Sequence, residues 1–232
     1  GAWAVGRYDL NGSSNQVTPF RARQPVLMDQ YKLDGGVVPW VYPLNDGTGK
    51  LFIPTSEGYQ ILGANGSVQC NYTISGSRLI GLADIDGDLN QDIVILKDGL
   101  NEIHIVNSDN CILIGRIELE SNSKIYSYNV FLTNQISGYD GSQIIISLNR
   151  NISGGGVSGT EGGASIHSMA YGMKSRKLEV IWTQEIEKSL ISDAKFVLWA
   201  ASVIGDIDND GTIELINFIN DGFIIQDLVT GV

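Results

Sequence analysis

Short runs of β-branched and aliphatic residues recur along this 232-residue chain, each bounded by turn-forming residues. Leu51-Phe-Ile53, Ile93-Val-Ile-Leu96, Ile144-Ile-Ile-Ser-Leu148 and Leu215-Ile-Asn-Phe-Ile219 are continuous apolar runs of strand length. Such runs predict strands buried on both faces. Most lead through a turn (Ser56-Glu-Gly58, Lys97-Asp-Gly99, Asn220-Asp-Gly222) into a second strand: Tyr59-Gln-Ile-Leu62, Glu102-Ile-His-Ile-Val106 and Phe223-Ile-Ile225. A further turn leads to an outer strand with alternating or aromatic character, as in Val37-Val-Pro-Trp40, Arg116-Ile-Glu-Leu-Glu120 and Leu178-Glu-Val-Ile-Trp182.

Polar positions just ahead of the apolar runs are as regular. Asp84-Ile-Asp-Gly-Asp-Leu-Asn-Gln-Asp92 and Asp206-Ile-Asp-Asn-Asp-Gly-Thr-Ile-Glu214 place acids at positions 1, 3, 5 and 9 of a nine-residue loop. Alternate side chains of a tight loop point inward, so these oxygens, with the backbone carbonyl at position 7 (Asn90, Thr212), suit a calcium ion that takes about 6 to 8 oxygen ligands. Carboxylates crowded together without a cation repel one another. An EF-hand is excluded. Its position-12 glutamate falls on Ile95 and Asn217, position 6 of the first loop is Leu89, and the flanks are strands where the EF-hand has helices. The expected ion ties a strand-to-strand hairpin.

Aligning position 5 through the chain gives Asn11, Asp46, Asp88, Asp140 and Asp210, at intervals of 35, 42, 52 and 70 residues. Four strands in a unit of roughly 40 to 50 residues is the repeat of a β-propeller blade. The expected fold is all-β, a β-propeller of four-stranded antiparallel blades. The boundaries fall at about 1–40, 41–76, 77–120, 121–190 and 191–232, so this single domain holds about four and a half blades. Trp3-Ala-Val5 aligns with the innermost strand Ala201-Ser-Val-Ile204, which suggests an open piece of a propeller. Unpaired blade edges invite another chain, and the missing blades are expected in residues beyond this sequence or in a partner.

With its acidic loops and repeat, the chain resembles the FG-GAP and VCBS repeat proteins, the calcium-tied propellers of integrin α-subunit heads and of bacterial and archaeal surface proteins. The resemblance implies Asp84, Asp86, Asp88, Asn90 and Asp92, and then Asp206, Asp208, Asp210, Thr212 and Glu214, as ligands of about two calcium ions. Literal Phe-Gly and Gly-Ala-Pro signatures are absent. The other blades keep only fragments of the loop: Arg7 replaces ligand 1, Leu44 and Lys50 stand at ligand positions 3 and 9, and Asp140 is nearly alone in its loop. Lys50 offers a positive charge in place of an ion.

Charge and composition restrict the function. A net charge of -11, which two bound calcium ions would raise to -7, argues against nucleic acid, and no basic cluster opposes that reading. Only 18% of residues are charged and 28 are glycine, as in turn-rich surface proteins. The longest mostly apolar stretch, Phe196 to Gly205, is too short to span a bilayer, and no targeting segment is visible at Gly1. Sequons at Asn11, Asn65, Asn71 and Asn151 fall in expected turns and are candidate glycan acceptors. Cys70 and Cys111, the two cysteines, fit either a disulfide or a pair of buried thiols. The expected location is extracellular or at a cell surface.

Catalytic features are sparse. His104 and His167 each lie within an expected strand, no G-x-S-x-G elbow occurs, and the glycine-rich Gly154–Gly163 segment lacks the G-K-[ST] ending of a phosphate loop. Three function classes remain: an adhesion or protein-interaction module, a scaffold within a surface assembly, and a lectin or polysaccharide-active enzyme using Trp3, Trp40, Trp182 or Trp199 as sugar platforms. Long inserts at Ser121–Tyr128, Asn149–Gly163 and Glu185–Lys195 all fall on the rim opposite the acidic loops. That rim, with Asn151, Gly155, Gly159 and Glu161, is the expected partner-binding face.

Overall fold

In the computed structural model the described residues are 42–44, 47, 49–97, 102–119, 124–151, 164–187, 202–219 and 222–232. They are all-β, with no helix among them. The first sheet contains β1 (Tyr42–Pro43), β2 (Leu51–Thr55), β3 (Gly58–Leu62) and β4 (Val68–Thr73), and the second β5 (Ser77–Ala83), β6 (Asp92–Lys97), β7 (Glu102–Val106) and β8 (Leu113–Glu118). The third holds β9 (Lys124–Thr133), β10 (Gln143–Asn151), β11 (Ala164–Lys174) and β12 (Lys177–Glu187), and the fourth β13 (Ser202–Gly205), β14 (Glu214–Ile219) and β15 (Gly222–Asp227). Strands neighbour one another in chain order within every sheet. That up-and-down antiparallel order is the blade topology expected from the repeat.

Burial explains why inner and outer strands read differently in sequence. Second strands are covered on both faces: Ile93, Val94, Ile95 and Leu96, and likewise Ile144, Ile145 and Ile146, are at most 3% exposed. A strand buried on both sides reads as one apolar run. Fourth strands have one face toward solvent, so β4 alternates apolar with polar residues.

The chain divides into two compact units, Gly1–Ala83 with Leu89–Arg116, and Asp84–Asp88 with Ile117–Val232. In the first, Phe52, Tyr59 and Ile61 pack with Ile93, Ile95 and Val106, so the first sheet lies against the second. The disulfide Cys70–Cys111 joins β4 to the β7–β8 turn within this unit, with a Cα separation of 5.7 Å. The second unit has an apolar cluster of Ile136, Ile145, Ala170, Leu215 and Leu228. Beside it, Ser147 and Ser202 both donate to Asn217 Oδ1, at 2.6 and 2.7 Å, and Asn217 and Ser168 both donate to Gln226 Oε1, each at 2.9 Å. These buried polar groups satisfy one another.

The expected long inserts are partly strand. β9 already begins at Lys124, β10 continues to Asn151, β11 resumes at Ala164 and β12 runs to Glu187. The polar sequence hides this because the three ladders lengthen together: Lys124 and Ala164 both pair with Asn151, and Ser165 pairs with both Arg150 and Glu187. Each added backbone pair supports the next, whatever the side-chain polarity. Asn151 is therefore a strand residue, while Gly155, Gly159 and Glu161 lie outside the described residues. The fourth strand of the second sheet starts at Leu113, earlier than the expected Arg116. The segment expected as the first blade, with Arg7, Asn11, Trp3 and Trp40, lies outside the described residues, as does Trp199.

Candidate metal centres

Both acidic loops join the first strand of a sheet to its second, and each closes at an antiparallel pair: Ala83↔Asp92 in one and Gly205↔Glu214 in the other. Their backbones turn alike. Position 4 has positive φ in both (Gly87 80°, Asn209 62°), and so does position 6 (Leu89 72°, Gly211 92°). Glycine tolerates that left-handed region, asparagine visits it, and leucine is strained by it. The carboxylates then grip the turning backbone. Asp84 Oδ1 accepts from the Gly87 amide at 2.7 Å and Asp86 Oδ1 from that of Asp88 at 3.2 Å. In the second loop Asp206 accepts from the amides of Asp210 and Gly211, and Asp210 from that of Thr212 at 2.7 Å.

The result is two clusters. Carboxylate oxygens of Asp84, Asp86 and Asp92 lie within 4.8 Å of one another, and so do those of Asp206, Asp208 and Asp210. Two oxygens bound to one calcium at about 2.3–2.6 Å are at most about 5 Å apart, so both groups have the span and the hard-oxygen chemistry for that ion. The two loops gather different positions, however: 1, 3 and 9 in the first, 1, 3 and 5 in the second. Asp88 is exposed and stands outside the first trio. Asn90 turns its amide to Asp109 Oδ2 at 3.3 Å. Glu214 instead binds the Ile207 amide at 2.9 Å and the Thr212 hydroxyl at 3.2 Å. Asp92 is fully buried whereas the second trio is exposed. Burial, then the neighbouring Asp88 charge, pushes the Asp86 carboxyl up from its ordinary range. Hydrogen bonds from Thr212 hold Asp210 below its own.

Remnant loops support the first acidic loop. The Ser142 amide donates to the Asp84 carbonyl at 2.6 Å, and Gly87 lies so close to Asp140 that a Cβ there would meet the Asp140 carbonyl oxygen at 2.3 Å. A Cβ on Gly141 would sit 2.5 Å from the Asp84 carbonyl. The turn Tyr139–Ser142 thus braces the Asp84 end by backbone contact. Lys50 is buried, and its ammonium pairs with Asp109 in the β7–β8 turn, the turn that carries Cys111. Asp109 therefore meets both Lys50 and Asn90. Lys50 was conspicuous from its place at ligand position 9; Asp109 resembled any polar turn residue.

The remaining candidates have structural surroundings. His104 links the Tyr72 hydroxyl and Glu102, each at 3.0 Å, and His167 meets the Thr183 hydroxyl at 2.6 Å. Trp182 donates its indole N–H to the Leu228 carbonyl at 2.9 Å and covers Gly231. Asn65 lies in an exposed turn, whereas Asn71 is exposed on β4 and Asn151 ends β10. Local strand propensity around Asn71 was obscured by its polar neighbours.

No protein-family model matches the chain, and no curated protein does either. Among solved structures it is similar to the WD40 domain of SCAP from fission yeast (8% identity, TM-score 0.44, covering 86% of this chain and 43% of that one). It is also similar to BamB from Moraxella catarrhalis (11% identity, TM-score 0.40, covering 88% and 65%) and to the complex of the fission yeast SREBP–SCAP binding domains (11%, 0.32, covering 93% and 68%). The chain thus spans less than two thirds of the length of the first two.

Proposed function

We propose that this chain is a calcium-tied propeller protein of the FG-GAP/VCBS kind, acting outside the cell as a protein-docking or surface-assembly module. The observation that carries the calcium reading is the pairing of the two loops: the same backbone signs at positions 4 and 6, and three gathered carboxylates in each. Bound calcium would offset most of the charge of those clusters and tie the first strand of each of these two sheets to its second. The Cys70–Cys111 bridge and the exposed sequons at Asn65 and Asn71 favour an oxidising, secreted setting.

A specific surface supports the docking reading. In the second sheet Val94, Leu96, Ile103 and Ile105 share one face and are at most 3% exposed. Register places Ile216, Phe218, Phe223 and Ile225 at the same positions of the fourth sheet, where Phe218, Phe223 and Ile225 are 42%, 58% and 43% exposed. The matching face of the first sheet, with Phe52, Tyr59 and Ile61, is covered by the second sheet. The open face therefore has the chemistry of a sheet-packing surface, and the occupant proposed for it is a β-sheet of a partner chain.

Calcium titration with metal analysis tests the first part. Two ions per chain are expected, and chelation should lower the melting temperature, because an ion at a hundredfold excess over its Kd contributes about 2.7 kcal/mol. An unchanged melt after verified calcium removal, or four to five ions per chain, refutes it. Phe223→Ser should abolish association through the fourth sheet without altering calcium stoichiometry.

A further inference from the structure

The β11–β12 hairpin carries three cations in four residues, Lys174-Ser-Arg-Lys177, and all four residues are exposed. Its two central residues, Ser175 and Arg176, both take the left-handed backbone, with φ of 51° and 63°. A two-residue turn of that kind is easiest for Asn-Gly, so serine and arginine are held there by their surroundings. The Arg176 amide donates to Asp140 Oδ2 at 3.2 Å, and the Lys174 ammonium lies over the Tyr139 ring, 5.9 Å from its centre. Asp140 also presses on Gly87 of the first acidic loop, where a Cβ would meet its carbonyl oxygen at 2.3 Å. One residue thus separates the hairpin from that loop, and Asp84–Asp88 and the hairpin belong to the same compact unit. Charge links them as well. Burial and the charges of Asp88 and Asp84 push the Asp86 carboxyl up, while the Asp88 amide and the Arg176 guanidinium pull it down. Arg176 is therefore within electrostatic reach of Asp86, yet among the described residues no ion pair closes on Lys174, Arg176 or Lys177.

We propose that the β11–β12 hairpin is a calcium-gated docking point for an acidic polypeptide segment, whose carboxylates pair with Lys174, Arg176 and Lys177. This rests on the calcium reading of the first loop. Without an ion, Asp84, Asp86, Asp88 and Asp140 outnumber the three cations and repel an acidic chain. One bound calcium offsets two of those charges and reverses the local balance. The ion also takes over Asp86, which releases the Arg176 guanidinium for an outside carboxylate, a planar match to its donor fork. The chain's net charge of -11 does not cancel this, because exposed charges more than about 8 Å away are largely screened at physiological ionic strength.

The test uses the whole chain and three probes in titration calorimetry, with calcium content measured in parallel: an alternating aspartate–glycine peptide, its asparagine–glycine counterpart, and low-molecular-weight heparin. The aspartate peptide should bind saturably in calcium, about tenfold more tightly than in EDTA, and the asparagine peptide should not bind. Combining Lys174→Gln, Arg176→Asn and Lys177→Gln should remove that calcium-dependent gain and leave calcium stoichiometry unchanged; asparagine suits the left-handed position, so the turn is kept. Because coupling is reciprocal, the peptide should raise the calcium affinity of the parent by the same factor, and not that of the triple variant. Equal peptide binding with and without calcium, or by parent and triple variant, overturns the docking point and leaves the calcium reading intact. Heparin bound in preference to the aspartate peptide overturns the choice of an acidic polypeptide. A calcium stoichiometry that Asp86→Asn does not lower shows no ion in the first loop and overturns both readings.

Discussion

Leu89 stands where the second loop has Gly211, and both take a left-handed backbone, with φ of 72° and 92°. An L-residue in that conformation costs about 1–2 kcal/mol. Leu89 is 85% exposed, so its side chain returns little burial energy to offset the strain. Leu89→Gly removes the strain but frees the unfolded chain, which costs about 0.5–1 kcal/mol. The expected net stabilisation is about 0.5–1 kcal/mol, a rise in melting temperature of roughly 1–4 °C for a chain of this size. Gly211→Ala should act with similar size and opposite sign, because a Cβ at 211 meets nothing within 4 Å and the effect is purely conformational. Gly87→Ala should be the worst of the three: it combines strain at φ 80° with a Cβ at 2.3 Å from the Asp140 carbonyl oxygen, adding about 1–3 kcal/mol of overpacking. Scanning calorimetry in EDTA separates these backbone effects from metal binding. A Leu89→Gly variant that melts lower than the parent, or a Gly87→Ala variant no worse than Gly211→Ala, would refute the shared loop conformation.

Removing the Cys70–Cys111 bridge, with its separation of 41 residues, should cost about 4 kcal/mol on the chain-entropy account, read as a lower denaturation midpoint for the double serine variant. Glu102 is held below its ordinary 4.5, first by the His104 hydrogen bond and, among nearby charges, by Arg116. Its contribution is thus present above pH 4.5 and lost as pH falls through the depressed value, and Glu102→Gln should flatten the acid limb of a stability–pH profile. An acid limb identical to the parent's counts against that linkage. Replacing 152–163 by a tight turn should weaken partner binding if that segment contributes to the docking face; the calcium-dependent melt should stay the same, since both acidic loops are untouched. Full partner binding by this deletion leaves the fourth-sheet face as the interface and removes the rim expected from the sequence.

Several features were legible because they are local. The apolar runs at Ile93–Leu96 and Ile144–Leu148 announce strands buried on both sides, and the acidic repeats that begin at Asp84 and at Asp206 announce loops between a first strand and a second. Both follow from the side-chain period of an extended or tightly turned backbone, which a few consecutive residues specify. The polar strand ends were harder. Ser127, Asn149 and Arg150 look like loop, and they become strand because partners on either side complete their ladders.

What the sequence by itself determined is the kind of unit: repeated antiparallel strands with a carboxylate loop at the same point of two of them. Tertiary structure decided the rest: which carboxylates converge, that Asp140 and Gly141 brace Asp84, that Asp109 receives Lys50, and that Cys70 meets Cys111. Those contacts join residues tens of positions apart. Their distances depend on how sheets pack and where turns end, and neighbouring residues along the chain carry no record of either.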